Sequence, residues 1–144
     1  MEDLFYKFEE LSNAKRLRME SGKVIKIGAL SGALSVMIGA FGAHGLEALL
    51  IENGRLNTFE TAVKYQFYHS LALLLVGLLM QNNLSKYLTW ATNLFVLGIL
   101  VFSGSLYVLS LSHFTLLGAI TPIGGLFFIF GWLALYKSMS SREK

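Results

Sequence analysis

The sequence predicts an all-α membrane protein, a compact bundle of four transmembrane helices with both termini cytoplasmic, and three observations predict it. First, 54% of the 144 residues are hydrophobic and only 15% charged, with a mean hydropathy of +0.57. A soluble domain of this size leaves roughly a third of its chain area exposed and has nowhere to hide that much apolar surface. Second, no Lys, Arg, Asp or Glu occurs between Lys26 and Glu47, between Lys64 and Lys86, or between Lys86 and Lys137. Spanning a hydrocarbon core about 30 Å thick takes about 20 residues, so the first two windows hold one span each and the third holds two. Third, the basic residues are lopsided. With four spans the termini share a side with the 81–86 loop, and that side carries Lys7, Lys15, Arg16, Arg18, Lys23, Lys26, Lys86, Lys137, Arg142 and Lys144 against Arg55 and Lys64 opposite. Basic residues in short loops stay inside, which places both termini in the cytoplasm.

Residues 1–23 form a cytoplasmic extension with Leu4, Phe5, Phe8 and Leu11 at helical spacing among Glu2, Asp3, Lys7, Glu9 and Glu10. That pattern suits a short amphipathic helix on the membrane surface, the alternative being a partly ordered tail. Ala40-Phe41-Gly42 has the small-x-small form of a signal-peptidase site, but the long mixed-charge leader argues against cleavage. Span one covers about Val24 to Ala43. Its Gly28, Gly32, Ser35, Gly39 and Gly42 recur in steps of four and three, which aligns a strip of missing side chains along one face and lets a second helix approach closely. Within so small a bundle the partner is expected in the same chain, with homo-oligomerisation the alternative. His44, just before Gly45, is placed to cap the end of this helix, with the glycine taking a left-handed turn.

Span two covers about Ala62 to Met80. Its run Tyr65-Gln66-Phe67-Tyr68-His69-Ser70 puts Tyr65 and His69 on one face with Gln66 and Ser70 beside them, a polar cluster expected in the outer half of the helix. Span three, about Tyr87 to Leu109, has a weaker small-residue face in Gly98, Ser103, Gly104 and Ser105. Ser110-Leu111-Ser112-His113 makes a tight hairpin, since unpaired backbone is tolerated only near water or inside protein. Span four, about Phe114 to Tyr136, contains Gly118-Ala119-Ile120-Thr121-Pro122-Ile123-Gly124-Gly125, and Gly124 and Gly125, like Gly104 of span three, are expected to be helix-packing positions. Proline removes the amide bond back to Gly118, so a kink or a restart capped by Thr121 is expected there, with no partner break in the other spans. Residues 137–144 are a basic cytoplasmic tail. Tyr87, Trp90, Trp132 and Tyr136 read as the inner aromatic belt and Tyr65, Tyr68 and Tyr107 as the outer one.

No cysteine occurs, which removes disulfide frameworks, thiolate zinc sites and iron–sulfur clusters. The formal charge of +3 reports orientation and contact with anionic lipid headgroups; no groove-reading motif accompanies it, so no nucleic-acid partner is expected. No nucleophile elbow, HExxH or paired-carboxylate pattern supplies a catalytic set. His44, His69 and His113 all fall on the outer side, with Glu47, Glu52 and Glu60. Two imidazoles and a carboxylate such as Glu47 make a minimal divalent metal site, and two imidazoles alone can ligate haem. A structural hydrogen-bond network is the competing reading, and no cofactor is predicted.

Gly39-Ala40-Phe41-Gly42-Ala43-His44-Gly45, the run from Phe59 to Leu73, Phe102-Ser103-Gly104-Ser105-Leu106-Tyr107, and Thr121-Pro122-Ile123-Gly124-Gly125 with Gly131-Trp132 together resemble the YgdD-like family of small integral membrane proteins. The resemblance runs from about Lys23 to Tyr136. It implies a four-helix inner-membrane protein without an assigned activity, with characteristic positions at Gly42, His44, Gly45, Tyr65, His69, Gly104, Pro122, Gly124 and Gly125. Two functions of different class follow. One is a non-enzymatic structural or accessory membrane component, its partners the bilayer and a second copy or another membrane protein. The alternative is binding or transport of an ion, metal, haem or small ligand at an outer-face site built from His44, Glu47, Tyr65, Gln66, His69, Thr121 and the break at Pro122.

Overall fold

A computed structural model describes residues 2–82, 84–112 and 114–140, and every regular element among them is helical. The chain runs α1 (Glu2–His44), α2 (Glu47–Glu52), α3 (Leu56–Met80), α4 (Lys86–Gly98), a π-helical turn (Ile99–Ser103), α5 (Gly104–Leu111) and α6 (Leu117–Ser140). Four rods within it, Phe5–His44, Leu56–Met80, Lys86–Leu111 and Leu117–Ser140, are long and apolar enough to cross a membrane. His113 and residues 141–144, which include Arg142 and Lys144, lie outside the described residues.

The rods are longer than the apolar windows because a helix does not stop where the hydrocarbon does. α3 begins at Leu56, ahead of Ala62, and its first turns carry an exposed Lys64–Glu60 pair at 3.1 Å. α6 starts at Leu117, after a turn closed by Leu117 N–H donating to Phe114 O, and runs on to Ser140. The leader is helical and continuous with the first span; at 1.5 Å per residue a 43-residue helix measures about 65 Å, twice the hydrocarbon core.

Contacts fix the directions. Gly28 meets Ser70 and Leu73 while Gly42 meets Phe59, so α1 and α3 run antiparallel. Gly131 meets Phe95, Gly124 meets Phe102, and the Ser105 and Thr121 hydroxyls lie 2.8 Å apart, so α6 runs antiparallel to α4–α5. α3 is central, with α1 laid on one flank and the α4–α5/α6 pair on the other. The glycine strip of α1 faces α3 of the same chain: beyond Gly28 and Gly42, Gly32 sits against Ser70, Gly39 against Val63, and Ser35 is fully buried. Such close approach is what holds helices together where lipid removes the hydrophobic drive between them.

Several local expectations are corrected. Gly45 does not take a left-handed turn. Its N–H donates to Phe41 O and the chain passes directly into α2, whereas Gly54 has φ +63°. There Arg55 N–H reaches Leu50 O and Gly54 N–H reaches Ile51 O, the paired bonds of a Schellman ending that only a left-handed residue can close. Helix α6 does not restart at Thr121: Pro122 is its sixth residue, inside an unbroken helix, and Thr121 Oγ1 donates to Leu117 O instead of capping a new one. A break does occur in the third span, as the π turn. Gly104 is not a packing glycine, because a Cβ there would meet nothing within 4 Å.

Candidate functional site

Two apolar clusters, one around Leu73, Val76, Phe95 and Phe128 and the other around Ala62, Leu106 and Leu109, are separated by a layer of polar side chains at mid-height of α3. The layer is built from the i, i+3, i+4 set Gln66, His69 and Ser70, all buried. Gln66 Nε2 donates to Ser31 O on α1, and Gln66 Oε1 accepts from the Tyr107 hydroxyl of α5 at 2.8 Å. Ser70 Oγ donates to Gln66 O and lies 2.8 Å from Ser31 Oγ. His69 turns the other way, towards α6.

The protonation state of His69 follows from its partners. Trp132 Nε1–H, which can only donate, points at His69 Nε2 at 3.2 Å. Nε2 is therefore the acceptor, and Nδ1 carries the proton that it donates to Tyr65 O at 2.8 Å. The ring is a neutral imidazole, stacked on Phe128 with centroids 3.5 Å apart and planes 10° from parallel, and flanked by Phe95 at 5.5 Å. Both nitrogens are engaged, which leaves no free lone pair for a metal or a haem iron.

The structure brings Tyr65, Gln66 and His69 together and sets Thr121 apart from them, paired with Ser105. His44 and Glu47 are not part of the layer. Gly32 is level with Ser70, and His44 stands twelve residues further along the same helix, about 18 Å away along its axis and exposed. One ion cannot bridge His44 and His69, so the outer-face site expected from both histidines, Glu47 and the Pro122 region does not form as one site. Among the described residues no three His, Asp or Glu side chains are grouped to hold a metal. Three members of the layer escaped the sequence reading. Ser31 lies beside the glycine strip, and Tyr107 and Trp132 have the sequence positions of interfacial aromatics, although the Tyr107 hydroxyl reaches Gln66 and the Trp132 indole edge reaches His69. The only signal for them is that a buried Gln66 and His69 require partners on other helices.

Where α6 crosses the π turn, a Cβ at Gly124 would stand 2.6 Å from Phe102 Cα and 2.7 Å from its Cβ. The two backbones touch, two residues from Pro122. Gly125, by contrast, leaves ordinary room to the Phe102 ring at 3.9 Å.

Residues 38–125 match the family model described as protein of unknown function (DUF423). The chain belongs to the DUF423 family. Among similar family proteins, a UPF0382 membrane protein of Staphylococcus haemolyticus is 50% identical over 114 residues, covering 79% of this chain and 92% of that protein. The UPF0382 membrane protein YwdK of Bacillus subtilis is 45% identical over 113 residues, 77% of this chain and 90% of its own. The UPF0382 inner membrane protein YgdD of Escherichia coli is 40% identical over 129 residues, 88% and 96% respectively. No solved structure matches the chain. Like these UPF0382 relatives, this chain is a membrane protein, with four helices long and apolar enough to cross the bilayer, and the YgdD resemblance carried by its motifs is shown by these matches.

Proposed function

We propose that the protein is a non-enzymatic structural or accessory component of the bacterial cytoplasmic membrane, with both termini in the cytoplasm and no bound cofactor. The observation that carries this reading is the use made of the α3 polar groups: Gln66 ties α3 to α1 and α5, and both nitrogens of His69 are engaged, one by α6. Groups placed to work on a substrate would present a free atom to it, whereas these join helices. An accessory role calls for a membrane partner, a second copy or another protein, and α1 leaves Val36, Met37 and Phe41 exposed for lipid or for that partner. The name of the Escherichia coli relative supports the compartment, and the bias of basic residues supports the orientation.

Protein purified in detergent is expected to show no absorbance above the aromatic band and less than a tenth of an equivalent of any transition metal, and His44→Ala is expected to change neither. A stoichiometric chromophore or metal lost on substituting His69 would overturn the reading. Orientation is checked separately. The chain lacks cysteine, so single cysteines introduced at Asn82 and at Asn53 can be labelled in intact cells with a membrane-impermeant maleimide; Asn53 is expected to react and Asn82 to be protected until the membrane is opened.

A further inference from the structure

The flank of α1 that does not touch α3 forms one wall of a groove, with α4–α5 as the opposite wall and α3 as its floor. Three cavities run end to end along it. The first, about 640 Å³, lies at the end of the bundle that carries the termini and is lined by Arg16, Glu20, Lys23, Lys86, Thr89 and Asn93 among others. The second, about 340 Å³, shares Ile27 with the first and is walled by Leu30, Leu34, Leu73, Val96 and Leu100, with Gly104 leaving it open. The third, about 450 Å³, shares Leu34 and Tyr107 with the second and has no charged residue in its lining. Charge is therefore confined to one mouth, where three cations face one carboxylate, Glu20, which already pairs with Lys23 at 2.9 Å.

A second observation comes from α4. Lys86, Thr89 and Asn93 fall at i, i+3 and i+7, a polar stripe descending about 10 Å from the mouth into the apolar part of the groove. Asn93 is exposed, and its amide has no hydrogen-bond partner among the described residues. An unpartnered amide on a membrane-spanning helix is costly against bare hydrocarbon, and it points to a polar ligand group at that depth.

We propose that this groove holds an anionic phospholipid of the leaflet on the side of the termini. The phosphate lies among Arg16, Lys23 and Lys86, a glycerol ester carbonyl accepts from the Asn93 amide, and an acyl chain follows Ile27, Leu30 and Leu100 past Gly104. Cation, amide donor and apolar channel succeed one another in the order in which a phospholipid presents phosphate, ester and chain. A free anion would need only the first of these, and a protein helix would need neither the cations nor the amide.

The test is native mass spectrometry of the full chain released from micelles doped with equal amounts of phosphatidylglycerol and phosphatidylcholine. Each lipid-facing cation contributes about fivefold, so bound phosphatidylglycerol is expected to exceed phosphatidylcholine by more than about tenfold. The triple variant Arg16→Gln, Lys23→Gln, Lys86→Gln is expected to bring that ratio close to one, while Lys7→Gln with Lys15→Gln leaves it unchanged. Gly104→Leu, which fills open space and touches no charge, is expected to lower retention of either lipid at least fivefold. Equal binding of the two lipids by the native chain, or full selectivity in the triple variant, would overturn the proposal. So would displacement of phosphatidylglycerol by millimolar inorganic phosphate, which would mark an anion mouth alone, or an efficient disulfide between two Leu34→Cys copies with lipid excluded, which would mark the groove as a helix interface.

Discussion

Gly124→Ala is expected to separate α6 from the third span and to lower stability by about 2–3 kcal/mol, the upper part of the range for forcing one extra carbon into a packed site. The added methyl would stand 2.6 Å from Phe102 Cα, and main chain cannot swing aside as a side-chain tip can. Alanine's better helix propensity offers little compensation, since in a bilayer the separated helices are already helical. Gly104→Ala is the matched control, because the same methyl there meets nothing within 4 Å and is expected to change stability by less than about 0.5 kcal/mol. Gly28→Ala should resemble Gly124→Ala, with Ser70 O at 2.9 Å and Leu74 N at 3.0 Å in its way. Unfolding in mixed micelles by titrated dodecyl sulfate, followed by circular dichroism, ranks the three. Equal stability of the Gly124 and Gly104 variants would show that the helices do not close at the π turn.

These glycines also show where the sequence is informative and where it stops. The four spans are legible because the bilayer demands continuous runs free of charge, and Lys26, Glu47, Lys64, Lys86 and Lys137 bracket those runs. Helix ends are not legible in the same way: Leu56–Thr61 and Lys137–Ser140 continue a helix beyond the charge-free runs, where hydropathy does not register it. The strip from Gly28 to Gly42 is legible because its period is that of the helix itself. Gly98, Gly104 and Gly124 are legible as small positions, but which of them packs is not, since a glycine becomes a contact only when the facing helix brings something to it. Phe128 comes to Gly98 and Phe102 to Gly124, while Gly104 opens on the groove. The π turn belongs to the same class. Ile99–Ser103 reads as any apolar turn, and the turn becomes visible only where α6 lays Gly124 on the Phe102 backbone. Gly54 and not Gly45 takes the positive φ because α1 hands its last carbonyls straight to α2, whereas α2 must reverse into α3.

The polar layer divides along the same line. Gln66, His69 and Ser70 are neighbours by spacing alone, but Ser31, Tyr107 and Trp132 reach them through the register of three other helices. Substitutions at His69 separate what its stacking and its hydrogen bonds each contribute. His69→Ala removes the ring stacked on Phe128 and leaves the Trp132 N–H without an acceptor, and is expected to cost about 3 kcal/mol, the lower end for emptying an aromatic-sized site. His69→Phe keeps a stacked ring and loses both bonds. Hydrogen bonds between membrane helices average about 0.6 kcal/mol and reach about 1.7, so a loss of about 1–2 kcal/mol is expected. Trp132→Phe should cost about 1 kcal/mol. Because each substitution deletes the same interhelical bond, the double variant His69→Phe, Trp132→Phe should lose less than the sum by about 0.5–1.5 kcal/mol. Strict additivity would mean that the indole does not reach His69 and that α6 is held by packing alone. His44→Ala, at an exposed helix end some 18 Å from the layer, should stay within about 0.5 kcal/mol of the native chain. A destabilisation at His44 equal to that at His69 would mean that the two histidines act together after all, and the division of the molecule into a structural layer and a separate exposed helix end would fail.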